Sequence, residues 1–133
     1  MSTLNVANVT DGTTSVPTGY VVNGSAKAWV NFNGVSTTSI NDSSNVSSLT
    51  DVGSGRTTVT FSNSFDNTNY CMSTSIRKDN DIANGTETLR TFNSSPKAVG
   101  SLFLVSYYVN AGAGTSGYFD SPENGAHFMG DLA

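Results

Sequence analysis

Apolar side chains recur at every second residue from position 26 to 32, and this alternation restricts the fold more than any other feature of the chain. The even-numbered residues from Ala26 to Phe32 are apolar, whereas Lys27, Trp29 and Asn31 lie between them. Side chains of a strand point alternately to two faces, so the pattern predicts a strand with one buried face. No ten-residue window carries apolar residues at helical spacing. The sequence therefore predicts a protein built from strands.

A hairpin follows this first strand. Val46 and Leu49 are three residues apart, so they share a strand face only if a bulge or a bend lies near Val46. The segment from Asp51 to Arg56 contains two glycines, which supply the positive φ values that a tight reversal needs. The return strand places Val59 and Phe61 on one face.

Further short strands are predicted along the rest of the chain. They are expected at residues 70–76, 86–93 and 101–109, with short closing strands or turns near residues 118–119 and 127–129. The segment 101–109 is apolar on both faces, so it is central in a sheet or lies at a subunit contact. Cys71 lies in a strand and is expected to be a buried or half-buried small hydrophobe. About seven to nine such strands predict an all-β fold, an antiparallel, jelly-roll-like β-sandwich over residues 24–133.

Residues 1–23 differ from the sandwich and are predicted to form an extended N-terminal β-arm. Leu4, Val6 and Val9 are the main apolar side chains in its first part. So short a segment cannot bury its own apolar side chains. It is either a frayed terminus or an arm that pairs with a neighbouring subunit, and the three residues are candidates for that contact.

Aromatic residues supply the other candidate contacts. Trp29 faces away from the core side of its strand, so it is covered within its own subunit, covered by another subunit, or exposed as a ligand platform. It is a fourth subunit-contact candidate. Tyr107, Tyr108, Tyr118 and Phe119 flank a glycine loop, where they form core edges or a patch that contacts a partner or receptor.

Composition argues against several function classes. The net charge is −4 and charged residues make up 12% of the chain, which disfavours nucleic-acid binding. Cys71 is the only cysteine and His127 the only histidine, so neither a disulfide nor a zinc site is expected. Asp79 and Asp81 are either calcium ligands or part of a solvated loop. No nucleophile motif, phosphate loop or membrane-length apolar run occurs, so we expect no enzyme activity, no cofactor and no membrane insertion.

The segment from Ala26 to Gly34, which reads Ala-Lys-Ala-Trp-Val-Asn-Phe-Asn-Gly, is followed by Asn-Val-Ser-Ser-Leu-Thr-Asp at 45–51 and by the strand from Gly55 to Phe61. This series resembles a segment of tail-fibre and related virion proteins of tailed bacteriophages, especially marine phages and cyanophages. The stretch 65–70 and the opening residues 1–6 are also similar. The resemblance covers about residues 1–9 and 26–76, whereas the end of the chain departs from the pattern.

The resemblance implies a β-rich, non-enzymatic virion protein that is usually trimeric and is assembled in the host cytoplasm. It favours a tail fibre or a receptor-binding tip that acts in host attachment. A capsid decoration (cement) protein is the alternative, and a free carbohydrate-binding module is a third interpretation. The expected partners are copies of the chain itself, other virion proteins and a host surface glycan or protein.

Overall fold

The computed structural model describes residues 5–77, 85–92 and 94–133. In these residues the chain forms two antiparallel sheets, preceded by a small hairpin and a short helix. Side chains from both sheets share one hydrophobic core. The predicted all-β antiparallel sandwich is confirmed, and the finer jelly-roll assignment stays a prediction.

The N-terminal segment contains β1 (Asn8–Thr10), β2 (Ser15–Pro17) and α1 (Thr18–Gly24). The arm is therefore a hairpin followed by a helix, whereas the sequence predicted an extended β-arm without a helix. The chain reverses at Asp11, whose Oδ1 accepts hydrogen bonds from the backbone N–H groups of Thr13 and Thr14. These bonds hold the pKa of the Asp11 carboxyl below its usual value.

One sheet has four strands in the described part of the chain. In spatial order they are β4 (Ser39–Ser44), β3 (Ala28–Asn33), β11 (Glu123–Met129) and β7 (Cys71–Arg77). The central strand β11 is longer than the closing strand or turn that the sequence predicted. It includes Asn124, which is fully buried although it is polar. Apolar and polar alternation in the sequence did not predict a buried residue at this position.

The other sheet has five strands in the same described ranges, and β9 is its centre. The strands are β5 (Val46–Gly53), β6 (Arg56–Phe61), β8 (Gly85–Thr91), β9 (Ser101–Asn110) and β10 (Thr115–Tyr118). Strand β8 pairs with β9 along one edge, whereas β6 and β10 follow one another along the opposite edge. This confirms the central position that the apolar segment 101–109 indicated.

The core lies between the sheets, and it contains the alternate residues of β3 and β6 that the sequence predicted to be buried. Val59 and Phe61 are buried, and Phe65 and Tyr70 join them from the connection after β6. Their rings form one cluster with Phe128, with the Phe65 and Tyr70 centroids 4.4 Å apart. The remaining core residues are Ala28, Val30, Phe32, Leu89, Leu102, Leu104 and Ala126.

The predicted irregularity near Val46 is a β-bulge. The register of β5 against β6 shifts between Val46 and Ser48, and this brings Val46 and Leu49 to the core side. Asn45, with φ at 55°, turns the chain from β4 in one sheet into β5 in the other. Its side chain accepts a hydrogen bond from the Asn63 backbone N–H at 2.7 Å, which fixes this corner.

The glycines of two connections have different roles. Gly53 and Gly55 have φ values of 127° and 64°, which confirms the hairpin chemistry after β5. In the β3–β4 connection it is Ser36 that has a positive φ, of 64°, whereas Gly34 is not among the positive-φ glycines. Gly34 instead approaches the backbone closely, because its N–H donates to the Ser121 carbonyl at 2.8 Å.

Cys71 is exposed, so the expectation of a buried thiol is wrong. It is the first residue of β7, which is an edge strand of the four-stranded sheet. Met72 and Ile76 have the opposite parity and pack on the core. Cys71 therefore points to the outer face, where the described chain leaves it uncovered.

Candidate functional site

The N-terminal arm exposes its apolar side chains. Apart from the partly buried Thr18, every residue from 5 to 26 is exposed. Val9 is 52% exposed at the centre of β1, and Val6 precedes that strand. Leu4, the other arm residue predicted to contact a subunit, lies outside the described residues. Val6 and Val9 thus lie where a neighbouring chain would reach them.

The helix of the arm adds a second apolar group, which the sequence analysis did not single out. Tyr20 is 74% exposed and Val22 is 57% exposed, and Val21 lies between them. The seven residues of α1 include no buried side chain. These three consecutive apolar residues in a polar segment could have indicated a contact surface from the sequence alone.

Trp29 lies on the outer face of the four-stranded sheet. It pairs with His127 of β11 on one side and with Ser44 of β4 on the other. Together with Ser73 and Met129 it lines a shallow depression in this face. Trp29 is half-buried, so its ring is neither enclosed by its own subunit nor fully exposed.

The outer face of the five-stranded sheet carries a denser cluster, which we call the arginine–aromatic face. Its members alternate with core residues along β8 and β9 or flank these strands, and they are Arg56, Arg90, Phe92, Phe103, Tyr107 and Tyr118. The ring centroids of Tyr107 and Tyr118 are 5.4 Å apart, and those of Phe92 and Phe103 are 5.7 Å apart. The Phe92 and Tyr118 centroids, 6.2 Å apart, link the two pairs.

Val105 is at the centre of this face. It pairs with Arg56 on one side and with Arg90 on the other, so the three residues form one row across the sheet. Although it points away from the core, Val105 is 0% exposed. Val105 is therefore covered on the outer face, where Arg56 and Arg90 are its neighbours on the two adjoining strands.

Both arginines stack on tyrosines. The Cζ of Arg90 lies 4.7 Å from the ring centroid of Tyr107, and the Cζ of Arg56 lies 5.6 Å from that of Tyr118. Tyr107 is fixed further because its hydroxyl donates to Ser116 Oγ at 2.9 Å. Stacked guanidiniums keep their in-plane N–H groups able to bind anions.

The structure divides the four aromatic residues that the sequence grouped as one contact patch. Tyr107 and Tyr118 belong to the arginine–aromatic face, and Tyr118 is 39% exposed. Tyr108 and Phe119 instead pack on one another, with centroids 6.1 Å apart, and Phe119 is buried. Contact with a partner by any of the four stays a prediction, and the outward pair is the better placed.

Sequence reasoning missed the remaining members of this face. Arg90 lies on β8, and Phe92, two positions later and just past the end of that strand, has the same parity. Phe103 likewise shares its parity with Tyr107 on β9. That common parity was a usable signal. However, β9 is apolar on both faces, so its pattern did not indicate which face is turned outwards.

A buried polar network joins the two sheets and has a structural role. Ser106 Oγ donates to Asn124 Oδ1 at 2.9 Å, and Asn124 Nδ2 donates to the Ser121 carbonyl at 3.0 Å. Asn124 is fully buried, and its hydrogen bonds offset the cost of removing its amide from water. The network therefore fixes β9 relative to β11.

Tyr70 is the one described group with a strongly raised pKa. Burial raises the pKa of Tyr70 to about 12. Its hydroxyl donates to the Ala98 carbonyl at 3.0 Å, and Lys97 Nζ lies 4.8 Å from its ring centroid. Tyr70 lies in the core cluster, so its altered pKa reflects packing and not catalysis.

Metal ligands do not gather among the described residues, in which no three His, Cys, Asp or Glu side chains lie together. Asp79 and Asp81, the possible calcium ligands, lie outside the described ranges. His127 is exposed on the outer face, in register with Trp29 and Ser73. In the part of the chain that the structure describes, no helix is long and apolar enough to cross a membrane.

No family model, curated protein or solved structure matches the chain. The function of this protein therefore has to be inferred from its own residues and surfaces.

Proposed function

We propose that this protein is a non-catalytic structural protein of a tailed-bacteriophage particle. In this proposal it is a tail fibre or receptor-binding tip that acts in host attachment. It associates with copies of itself, as a trimer, and with other virion proteins, and it is assembled in the host cytoplasm. The exposed N-terminal arm is the structural observation that carries the assembly part of the proposal.

The arm is ordered within itself, yet it buries almost nothing. Strands β1 and β2 pair in register over Asn8–Thr10 and Ser15–Pro17, and the Thr18 N–H donates to the Ala7 carbonyl at 2.9 Å. Even so, Val16 is 40% exposed and Val9 is 52% exposed. An isolated two-stranded hairpin is at best marginally stable in water, so a second surface is expected to complete it.

Burial of these side chains on a neighbouring chain would be favourable. A fully buried valine contributes roughly 1.5–3 kcal/mol relative to an exposed one. Pairing of β1 with β2 restricts the backbone in part, so the ordering cost on binding is below the ~1–2 kcal/mol per residue of a fully disordered tail. Each edge of the hairpin also offers backbone groups that can extend a neighbouring sheet. These features favour assembly through the arm.

The virion setting comes from sequence resemblance. The segments that resemble phage fibre proteins include β3 and the β5–β6 hairpin, so most of the resemblance lies in the sandwich, and the rest lies in residues 1–9 of the arm. The trimer is likewise implied by this resemblance alone, and no residue pattern of the chain supports it. Lack of catalytic activity, of a cofactor and of nucleic-acid binding stay predictions.

Self-association is tested by weighing the full-length protein and a form without residues 1–23 in solution. We expect the full-length chain to sediment as a trimer and the truncated chain as a monomer. A sharper pair of variants is Val9→Ser in the arm and Val52→Ser in the β5–β6 hairpin, because these valines are 52% and 47% exposed. Only Val9→Ser should weaken assembly. Equal effects, or a truncated trimer, would remove the arm from the contact.

Location is tested on particles of the phage that encodes the chain. Antibodies raised against the recombinant protein should label the tail, and mass spectrometry should detect the chain in purified particles. Absence from particles would reject the virion assignment.

A capsid decoration protein is the second candidate, and the same exposed arm favours it. In that case the arm would clip onto shell subunits, so the free protein would be monomeric and antibodies would label the shell. A monomer in solution together with shell labelling would therefore replace the tail-fibre proposal with this one.

A further inference from the structure

Two guanidinium groups on the arginine–aromatic face have no acidic partner among the described residues. The protein has ten acidic and six basic side chains and a net charge of −4, so a positively charged patch runs against its overall charge. Within the described residues, Arg56 and Arg90 make cation–π contacts and no ion pair, whereas Arg77 pairs with Glu123 at 2.9 Å on the other sheet. The arginine–aromatic face thus attracts anions in an otherwise acidic protein.

The guanidinium of Arg56 is held in place before any ligand arrives. It stacks on Tyr118, and its Nη2 lies so close to Gly53 that a Cβ there would come within 2.6 Å of it. Its Nε is buried and has no hydrogen-bond partner in the described part of the chain. A side chain fixed by packing loses less entropy on binding, which favours affinity.

The spacing of the arginines limits the ligand. Arg56 and Arg90 are register partners of Val105 on its two sides, so their backbones are two strand spacings apart, about 9–10 Å. A ligand that uses both needs carboxylates spaced along an extended chain that can lie over aromatic rings. A polymer of acidic sugars meets this requirement, because its carboxylates repeat along the chain and its sugar rings have apolar faces.

Hydroxyl side chains flank the aromatic rings on the same face. Thr58 pairs with Phe103 on β6, and Thr88 and Thr86 pair with Tyr107 and Val109 on β8. Threonine hydroxyls both donate and accept hydrogen bonds, which suits a ligand rich in hydroxyl groups. By contrast, face-to-face contact between two copies of this surface would bring four guanidiniums together with no counter-charge.

We propose that the arginine–aromatic face binds an acidic polysaccharide of the polyuronate type, with the carboxylates on Arg56 and Arg90 and the apolar faces of the sugar rings against the aromatic side chains of this face. This inference rests on the proposed function for its biological setting, since it names the receptor class of an attachment protein. Its test uses the isolated protein and is therefore independent of the location in a particle.

The first experiment needs no variant. The full-length protein, labelled with ¹⁵N, is titrated with oligogalacturonate, and its fully methyl-esterified form serves as the control, because it has the same backbone without the charge. We expect saturable shifts of amide signals on β6, β8 and β9 with the acid alone. Signals around Trp29, on the opposite sheet, should not move.

Three alanine variants then assign the charge. Arg56→Ala and Arg90→Ala should each weaken binding by about tenfold or more, as expected for loss of a charge-assisted hydrogen bond. Arg77→Ala changes the net charge equally but lies on the other sheet, so it should bind like the parent. Arg56→Lys and Arg90→Lys keep the charge but lose the planar fork, and they should also bind more weakly.

Several results would overturn the proposal. These are absence of shifts at millimolar acid, equal binding of the methyl ester, or equal loss in Arg77→Ala. If dextran sulfate binds as tightly as oligogalacturonate, and if Arg56→Lys and Arg90→Lys bind both polymers like the parent, the face attracts polyanions in general and has no specific site. Shifts of the same face that depend on protein concentration without sugar would make it a contact between copies. None of these results alters the arm or particle tests of the proposed function.

Discussion

Replacement of Gly55 by alanine should destabilise the sandwich severely. Gly55 is buried at the end of the β5–β6 turn with φ at 64°, a conformation that costs a non-glycine residue about 1–2 kcal/mol. A Cβ at this position would lie 2.7 Å from the Phe119 nitrogen, from the Phe119 oxygen and from the Ser106 oxygen. All three are backbone atoms, so no side-chain rotation relieves the contact.

The backbone movement would break hydrogen bonds that join the turn to the sheet. The Gly55 N–H donates to Asp120 Oδ1 at 2.7 Å, and the Gly55 carbonyl accepts from the Ser106 N–H at 2.7 Å. Loss of each costs about 1–1.5 kcal/mol at this partly buried site. Added to the conformational term, the change should lower the free energy of unfolding by about 3–5 kcal/mol, a large part of the ~5–15 kcal/mol typical of a domain.

Gly114→Ala is the matched control. Gly114 has φ at 62° but no atom within 4 Å of the added Cβ, so it carries the conformational cost without the contacts. It should lose only about 1 kcal/mol, because alanine also restricts the unfolded chain. Urea unfolding followed by Trp29 fluorescence measures both variants. Equal losses in the two would refute the argument that close backbone approach, and not φ, makes Gly55 necessary.

Two further predictions concern buried polar groups. Because burial raises the Tyr70 pKa from 10.0 to about 12, the folded state holds this proton more tightly, and its contribution to stability is lost as the pH rises from 10 to 12. Tyr70→Phe should abolish this pH-dependent loss of stability. Below pH 10 the variant should be less stable than the parent by about 1 kcal/mol, because it lacks the hydrogen bond to Ala98. Parent and variant melting temperatures that change with pH in parallel would contradict this. Asn124→Ala should lower the free energy of unfolding by about 3 kcal/mol, because partners of its amide are left buried without hydrogen bonds. Asn41→Ala, which removes an exposed amide that donates to Asn31, should stay within about 0.5 kcal/mol of the parent, and a similar loss in both variants would mean that burial of the network is unimportant.

The candidate contacts were only partly predictable from the sequence. Alternation showed that Tyr107 and Tyr108 face opposite ways, but β9 is apolar on both sides, so it did not show which one faces out. Packing decided this, because Leu102 and Leu104 face the core that the two sheets share. The pairing of β9 with β8 on one edge and with β6 and β10 on the other then set which residues share its outer face. The same pairing brought Arg56 and Arg90, 34 positions apart in the chain, into one row with Val105.

Local pattern alone determined the strand character of this protein, the buried parity of β3 and β6, the bulge after Val46 and the two glycines of the β5–β6 turn. These features depend on neighbouring residues, whose alternation and φ preferences are written in short windows. Tertiary structure decided the exposure of Cys71, the buried position of Asn124 and the composition of the arginine–aromatic face. Each depends on distant segments: Cys71 is exposed because β7 is an edge strand, and Asn124 is tolerated because Ser106 and Ser121 satisfy its amide.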